Sequence, residues 1–228
     1  EYGPLEPIFQ KLAAMPSYLY LLSKNSAKKV IVPSKHTFQA LTKYFPKTKL
    51  VYLPCGVKAA KISQRNKFKA QQLCVVSRLE KGKGQDLLIK AFLLIKKVFP
   101  QVSLHIIGQG QFLKDLRSLA KNDPQIKFLA FVKHKEKLLL ESELIICPSV
   151  WPLEGFGLTI VEAMALAKPI VAFDRPPGNE LLTHERNALL AKDGDYRDLA
   201  KQIIRLLADQ RLQKKLATQA HKDFRGRF

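Results

Sequence analysis

Residues 148–165 read PSVWPLEGFGLTIVEAMA, and the order of residue types in them describes a chain that leaves a strand, forms a loop and enters a helix. The run just before them, LIIC at 144–147, is short and apolar without alternation, as in a strand covered on both faces. Pro148 ends it, Gly155 and Gly157 bracket Phe156, and an apolar helical pattern begins at Gly157 and continues to 167. Glu154 lies before that helix, and Glu162, eight positions later, lies in its second turn. The amides of Gly157, Leu158 and Thr159 open the helix without intrahelical partners, and such a start attracts anions. They suit a diphosphate. A carboxylate before the helix suits sugar hydroxyls, and one a turn inside suits a ribose diol through paired O–H···O⁻ bonds. The competing reading is a solvated glutamate and an ordinary acid near the N-terminus of a helix.

The pattern repeats outward from this segment. Apolar strands at 73–77, 103–107, 126–131, 144–147 and 170–173 alternate with helices at 85–98, 112–121, 135–142 and 157–167, and two more helices, 196–208 and 210–223, follow. That rhythm predicts a Rossmann-like, doubly wound parallel sheet, a fold that binds ligands beyond the carboxyl ends of its strands. Before it, residues 5–23 read as a helix interrupted at Pro16, residues 29–33 and 50–53 as short strands, and Ser34 as the N-cap of a helix to 44. The expected organisation is a small α/β unit at 1–57, a polar, basic linker at 58–70 and the larger domain at 71–228.

Two further loops follow strands. SRLEKGKGQD at 77–86 sets Arg78 and Lys83 around glycines that admit a ligand close to the backbone, just before a helix. It reads as a phosphate-binding loop or as a polar turn with solvated cations. Its lysine does not directly precede Ser or Thr, as an ATP-type loop requires. Gly108 and Gly110 in IIGQGQF read as a tight turn.

Composition narrows the classes. The chain has 228 residues and a formal charge of +20, and residues 1–70 hold 13 basic against two acidic side chains. Such a surface attracts nucleic acid or an anionic membrane leaflet, unless its lysines are merely solvated. No zinc-finger or RNA-recognition spacing favours nucleic acid, and none is expected as partner. The apolar run LLIKAFLLIKKVF is broken by Lys90, Lys96 and Lys97, too soon for a spanning helix. Cys55, Cys74 and Cys147 are dispersed in apolar surroundings, which suits reduced thiols and a cytoplasmic setting. His36, His105, His134, His184 and His221 are scattered and read as structural, and lysines 133, 135 and 137 as a solvated face.

The motifs taken together resemble the large family of retaining glycosyltransferases with the GT-B fold, the group 1 or family 4 type. Glu154-Gly155-Phe156-Gly157-Leu158 with Glu162-Ala163-Met164-Ala165 resembles its Glu-x7-Glu signature. Ser77-Arg78-Leu79 with Lys83-Gly84, Ala130-Phe131-Val132 and Lys168-Pro169-Ile170-Val171 resemble its further elements, in the family's order. The resemblance implies that Arg78 and Lys83 hold the diphosphate of a UDP- or GDP-sugar, that Glu154 binds the donor sugar, and that Glu162 binds the ribose. It further implies that Phe131 and Val132 lie beside the base. Departure of a nucleoside diphosphate builds negative charge, which these cations and the start of the helix at Gly157 would stabilise. Neither a metal nor a cofactor beyond the nucleotide-sugar substrate is implied.

Pro176-Pro177-Gly178-Asn179-Glu180 departs from the family, which has a Gly-Gly pair before Pro-Glu there, and this puts donor choice in doubt. Residues 1–57 resemble only the tail of the family's first domain, which supplies the acceptor pocket. The chain is therefore expected to be the C-terminal half of a GT-B enzyme with a remnant of the N-terminal domain, binding donor but barely catalysing alone. The acceptor stays unidentified, a lipid or polysaccharide hydroxyl being the expectation, with work at the cytoplasmic face of an anionic membrane. The rival readings are a nucleotide-sugar-binding module without catalysis, a basic nucleic-acid-binding protein and a nucleotide-sugar epimerase.

Overall fold

A computed structural model describes residues 28–57, 69–130, 132, 135–152 and 154–228. The helix expected at 5–23 and most of the expected linker lie outside them. The chain divides between Cys55 and Gly56 into two compact units. In the first, strands β1 (Val30–Val32) and β2 (Leu50–Tyr52) pair in parallel, with helix α1 (Lys35–Leu41) between them. Ser34 caps α1 by accepting from the Thr37 amide at 3.0 Å. The helix stops three residues short of the expected end. A 3-10 turn at Lys47–Lys49 leads into β2, and Val32, Phe45 and Leu50 form the unit's small core.

The second unit is built on six strands, β3 (Lys69–Val76), β4 (Ser103–Ile107), β5 (Ile126–Leu129), β6 (Ser142–Cys147), β7 (Ile170–Phe173) and β8 (Leu189–Ala191). They run in the order β5-β4-β3-β6-β7-β8, every pair parallel. Helices α2 (Gln85–Val98), α3 (Leu113–Ala120), α4 (Lys135–Glu141), α5 (Leu158–Ala165), α6 (Gly178–Leu181), α7 (Tyr196–Ala208) and α8 (Gln210–Arg227) cover the sheet. Parallel strands need crossovers of this length, and the crossovers bury both sheet faces. Leu73, Cys74 and Val75 are accordingly all at most 1% exposed.

One core joins Leu73, Val75, Leu104, Ile106, Leu144, Ile146, Val171 and Phe173 to α2, α3 and α7. In α2 the buried apolar side chains are Leu88, Ile89, Ala91, Phe92 and Ile95, a single stripe at helical spacing, and the helix meets α7. Helix α5 lies against β6 and β7 and packs on α8. Asp195 and Asp209 accept backbone amides at the starts of α7 and α8.

This is the doubly wound sheet that the alternation of strands and helices predicts. Several bounds shift by one or two residues, and larger differences are these. β3 begins at Lys69, inside the stretch read as linker, because its first residues add an offset pairing with β6 before the main register starts at Leu73. α8 continues to Arg227, past the expected end at 223, because Phe224 is buried while Arg225 and Arg227 complement the carboxyl end of the helix. β8 and α6 were absent from the sequence reading, being three and four residues long. Among the described residues no helix is long and apolar enough to cross a membrane.

Candidate functional site

The sheet runs outward in both directions from β3 and β6, so the order of strands reverses between these neighbours. At such a point the loops after the two strands turn away to opposite sides and leave a crevice at their carboxyl ends. Those loops are residues 77–84 and 148–157, the two that carry the motifs. Backbone contacts fix them together: the Val150 amide donates to Gly82 O at 2.7 Å. Gly84 starts α2 with φ of 76°, and a β-carbon there would lie 1.7 Å from Pro148 O. Only glycine combines that left-handed backbone with so close an approach.

Lys83 and Glu154 meet where these two loops come together. Lys83 Nζ donates to Glu154 Oε2 at 2.8 Å, with the lysine side chain 9% and the glutamate 26% exposed. Ser149 Oγ donates to the same oxygen at 2.9 Å and accepts from the Trp151 amide at 3.3 Å. Lys83 Nζ stands 5.4 Å from the centre of the Trp151 ring, a cation–π distance. Buried Trp151 also packs on Gly82, where an added β-carbon would come within 2.8 Å of the indole. Beneath the loop, Gln85 is fully buried and donates to Ser77 Oγ at 2.7 Å and Arg78 O at 2.8 Å.

Glu162 projects from α5. Its Oε1 accepts from Lys135 Nζ at 2.7 Å, while Oε2 is buried without a hydrogen-bond partner among the described residues. A buried carboxylate oxygen left unpaired is costly, so this atom is available to a donor such as a ligand hydroxyl. The start of α5 has Gly157 as N-cap at φ 89° and no side-chain cap. Thr159 Oγ1 donates to Val76 O at 3.1 Å and thus fastens α5 to the end of β3. At the end of β6, burial pushes the Cys147 thiol well above its ordinary range, and Cys74, Glu154 and Glu162 push in the same direction.

The residues singled out in the sequence are distributed as follows. Lys83, Glu154, Gly155, Gly157, Leu158, Thr159 and Glu162 belong to the loops and helix start at the crevice, with Leu158 exposed. Arg78 is in the same loop, but its side chain is 65% exposed and pairs with Glu80 at 2.6 Å instead of joining Lys83. Phe156 is buried and meets Phe228 edge to face, ring centres 6.0 Å apart. Val132 is half-buried, and Phe131 lies outside the described residues. Gly108 and Gly110 serve the tight turn: β-carbons there would stand 2.0 Å from Ser77 O and 2.2 Å from Leu79 O. They let the loop after β4 brace the loop after β3.

Ser149 and Lys135 escaped the sequence reading. Pro148-Ser149 was visible as part of a motif, but nothing in a sequence assigns that hydroxyl to Glu154. Lys135 read as one of a solvated run, yet its partner, 27 positions away, is Glu162. Among the described residues, no three His, Cys, Asp or Glu side chains are grouped as metal ligands.

The switch point thus joins a lysine–glutamate pair and a second glutamate close to the start of one helix. Residues 58–223 match the family "Glycosyl transferases group 1", and the chain belongs to it. The chain is 29% identical over 150 residues to an uncharacterised glycosyltransferase of Haemophilus influenzae, 64% of this chain and 42% of that protein. It is 30% identical over 143 residues to the GtfA subunit of a UDP-N-acetylglucosamine–peptide N-acetylglucosaminyltransferase of Streptococcus pneumoniae, 63% of this chain and 28% of the relative. The chain thus spans less than half the length of either relative.

Among solved structures, Anabaena HepE in complex with UDP and glucose aligns with a TM-score of 0.84 at 24% identity, over 94% of this chain and 64% of HepE. The C-terminal domain of the group 1 glycosyltransferase LpcC from Francisella tularensis aligns with a TM-score of 0.66 at 22% identity, over 75% of this chain and 97% of that domain. The fold is that of the C-terminal domain of GT-B glycosyltransferases.

Proposed function

We propose that the chain is the donor-binding part of a retaining glycosyltransferase that moves a sugar from a nucleoside diphosphate sugar to an acceptor hydroxyl. The observation that carries this is the convergence of Lys83, Glu154, Glu162 and the start of α5 on one switch-point crevice. Leaving diphosphate gains negative charge as the glycosidic bond breaks. Lys83, held in a nearly closed pocket, and the amides that open α5 stabilise that charge, and they act most strongly where water is scarce. Arg78 is exposed and free to swing from Glu80 to the outer phosphate.

Glu154 has one oxygen committed to Lys83 and Ser149, which leaves Oε1 to orient hydroxyls of the donor sugar. Unpaired Oε2 of Glu162 takes a ribose hydroxyl. The base then lies toward Val132. UDP is the proposed nucleotide, supported by HepE and by pneumococcal GtfA, which were crystallised with UDP and sugar. The cationic excess over residues 1–70 supports work at the cytoplasmic face of an anionic membrane, with a lipid or polysaccharide acceptor.

Calorimetric titration of the chain with UDP, GDP and their sugar conjugates tests the donor part. Micromolar binding of a UDP-sugar that Glu162→Ala abolishes is the expected result, and absence of binding to every nucleotide overturns it. The anomeric configuration of the product, read by proton NMR with the complete enzyme, tests retention. Donor binding without transfer by that enzyme would leave the non-catalytic module as the better account.

A further inference from the structure

We propose that a second cleft in this domain, between the turn at 184–187 and the first half of α8, is a binding site for a compact di- or triphosphate group. The cleft is shallow and open to solvent, spans about 660 Å³ and is lined by Glu185, Arg186, Arg211, Lys214, Lys215, Thr218 and Gln219. That volume lies within the range of small-ligand sites. None of these residues belongs to the crevice at β3 and β6.

The chemistry of the lining is one-sided. Positions 211, 214, 215 and 218 fall on one stripe of α8, three or four residues apart, while Gln213, Leu216, Ala217 and Ala220 bury the opposite face. Both acids near the cleft are already engaged. Glu185 accepts from Arg205 at 2.5 Å. Asp223 takes both terminal nitrogens of Arg186 at 2.8 and 2.9 Å, together with Asn187 and Gln219 at 2.8 Å. Among the described residues, Arg211, Lys214 and Lys215 have no carboxylate at ion-pair distance.

Three like charges on adjacent turns repel one another, and a helix tolerates them at a cost unless an anion intervenes. Arg186 forms a rigid wall to the site, since Asp223 fixes its guanidinium and leaves further N–H donors unspent. The Thr218 hydroxyl and the Gln219 amide add neutral hydrogen-bonding groups. Arg211 and Lys214, with Lys215, whose charge also acts on Glu185, match the charge of a pyrophosphate or triphosphate better than that of a single phosphate. The same group could arrive free in solution or as the headgroup of a pyrophosphorylated lipid.

The test is a titration of the 15N-labelled chain with inorganic tripolyphosphate, followed by amide shifts, in the wild type and in an Arg211→Gln/Lys214→Gln/Lys215→Gln variant. Glutamine keeps helix propensity and adds no bulk. Shifts at 184–187 and 211–219, with affinity at least tenfold lower in the variant and UDP binding unchanged, support the site. Equal affinity in the variant overturns it, as do shifts confined to 77–84 and 154–162.

Sedimentation with phosphatidylcholine vesicles, with and without a prenyl pyrophosphate, separates the sources. Capture that needs the pyrophosphate, fails in the variant and is displaced by tripolyphosphate assigns a lipid headgroup. Tripolyphosphate binding without such capture assigns a free ligand. Capture that tripolyphosphate does not displace overturns the proposal.

Discussion

Lys83 Nζ lies 2.8 Å from Glu154 Oε2, and 71 positions of sequence separate the two residues. Parallel pairing of β3 with β6 brings their loops together, and the Val150 amide on Gly82 O fixes the spacing. The pair is nearly closed from water on the lysine side and open on the glutamate side. A ligand entering from the open side meets a carboxylate already turned by two donors, with the cation directly behind it.

Replacing Lys83 by Ala removes that cation from the crevice. A hydrogen bond to a charged group contributes about 1.5–3 kcal/mol, so affinity for UDP is expected to fall roughly 10- to 100-fold. Glu154→Gln is expected to leave UDP affinity within a factor of about three while weakening a UDP-sugar much more. Calorimetry on the two variants checks both statements. Unchanged UDP binding in Lys83→Ala would remove the lysine from the site.

Ser149 touches no proposed ligand atom and acts through Glu154. Its hydroxyl is itself held by the Trp151 amide, so it restricts the carboxylate to one rotation. Ser149→Ala is expected to lower the ratio of UDP-sugar to UDP affinity by roughly three- to tenfold, the value of one ordinary hydrogen bond. Ser149→Thr, which keeps the hydroxyl, should restore the ratio. A loss of both affinities in equal measure would mean that Ser149 only supports the fold.

Gly84→Ala tests the clamp between the loops. Its β-carbon would collide with the Pro148 carbonyl, and the left-handed backbone adds strain. A stability loss of about 3 kcal/mol or more is expected from urea unfolding. Gly155→Ala is the matched control, because among the described residues nothing lies within 4 Å of the added carbon. It should unfold within about 0.5 kcal/mol of the wild type.

The parallel sheet was legible because long helices and fully apolar strands announce themselves through their periods. α2, β4, β7 and α7 have the bounds that the sequence suggests. The switch point was not legible. Strand order depends on which neighbours share a sheet edge, and the apolar runs of β3 and β6 carry no mark of that choice. Lys83, Glu154 and Glu162 stood out because glycines and a helix start surround them. Ser149 and Lys135 did not, since their meaning rests on partners brought near by folding. β8 and α6 were too short to have a period.

Asp223 gives the second unit a calculable response to acid. Burial raises its pKa, but hydrogen bonds from Asn187, Gln219 and Arg186 and the Arg186 charge outweigh that effect and hold it below the ordinary 3.8. The unfolded chain therefore binds its proton at higher pH than the folded chain does, and stability falls as pH falls. The contribution is fully present above about pH 4 and is lost as pH drops through the folded value. Asp223→Asn should be less stable than the wild type at pH 6, because the Arg186 guanidinium then faces an amide. The difference should narrow as pH falls below 3.8, where the unfolded wild type takes up its proton first, and close as the folded carboxyl becomes neutral at lower pH. Urea unfolding of both proteins between pH 6 and pH 3 checks this, and a gap that stays constant would mean that the carboxylate charge at 223 does not stabilise the fold.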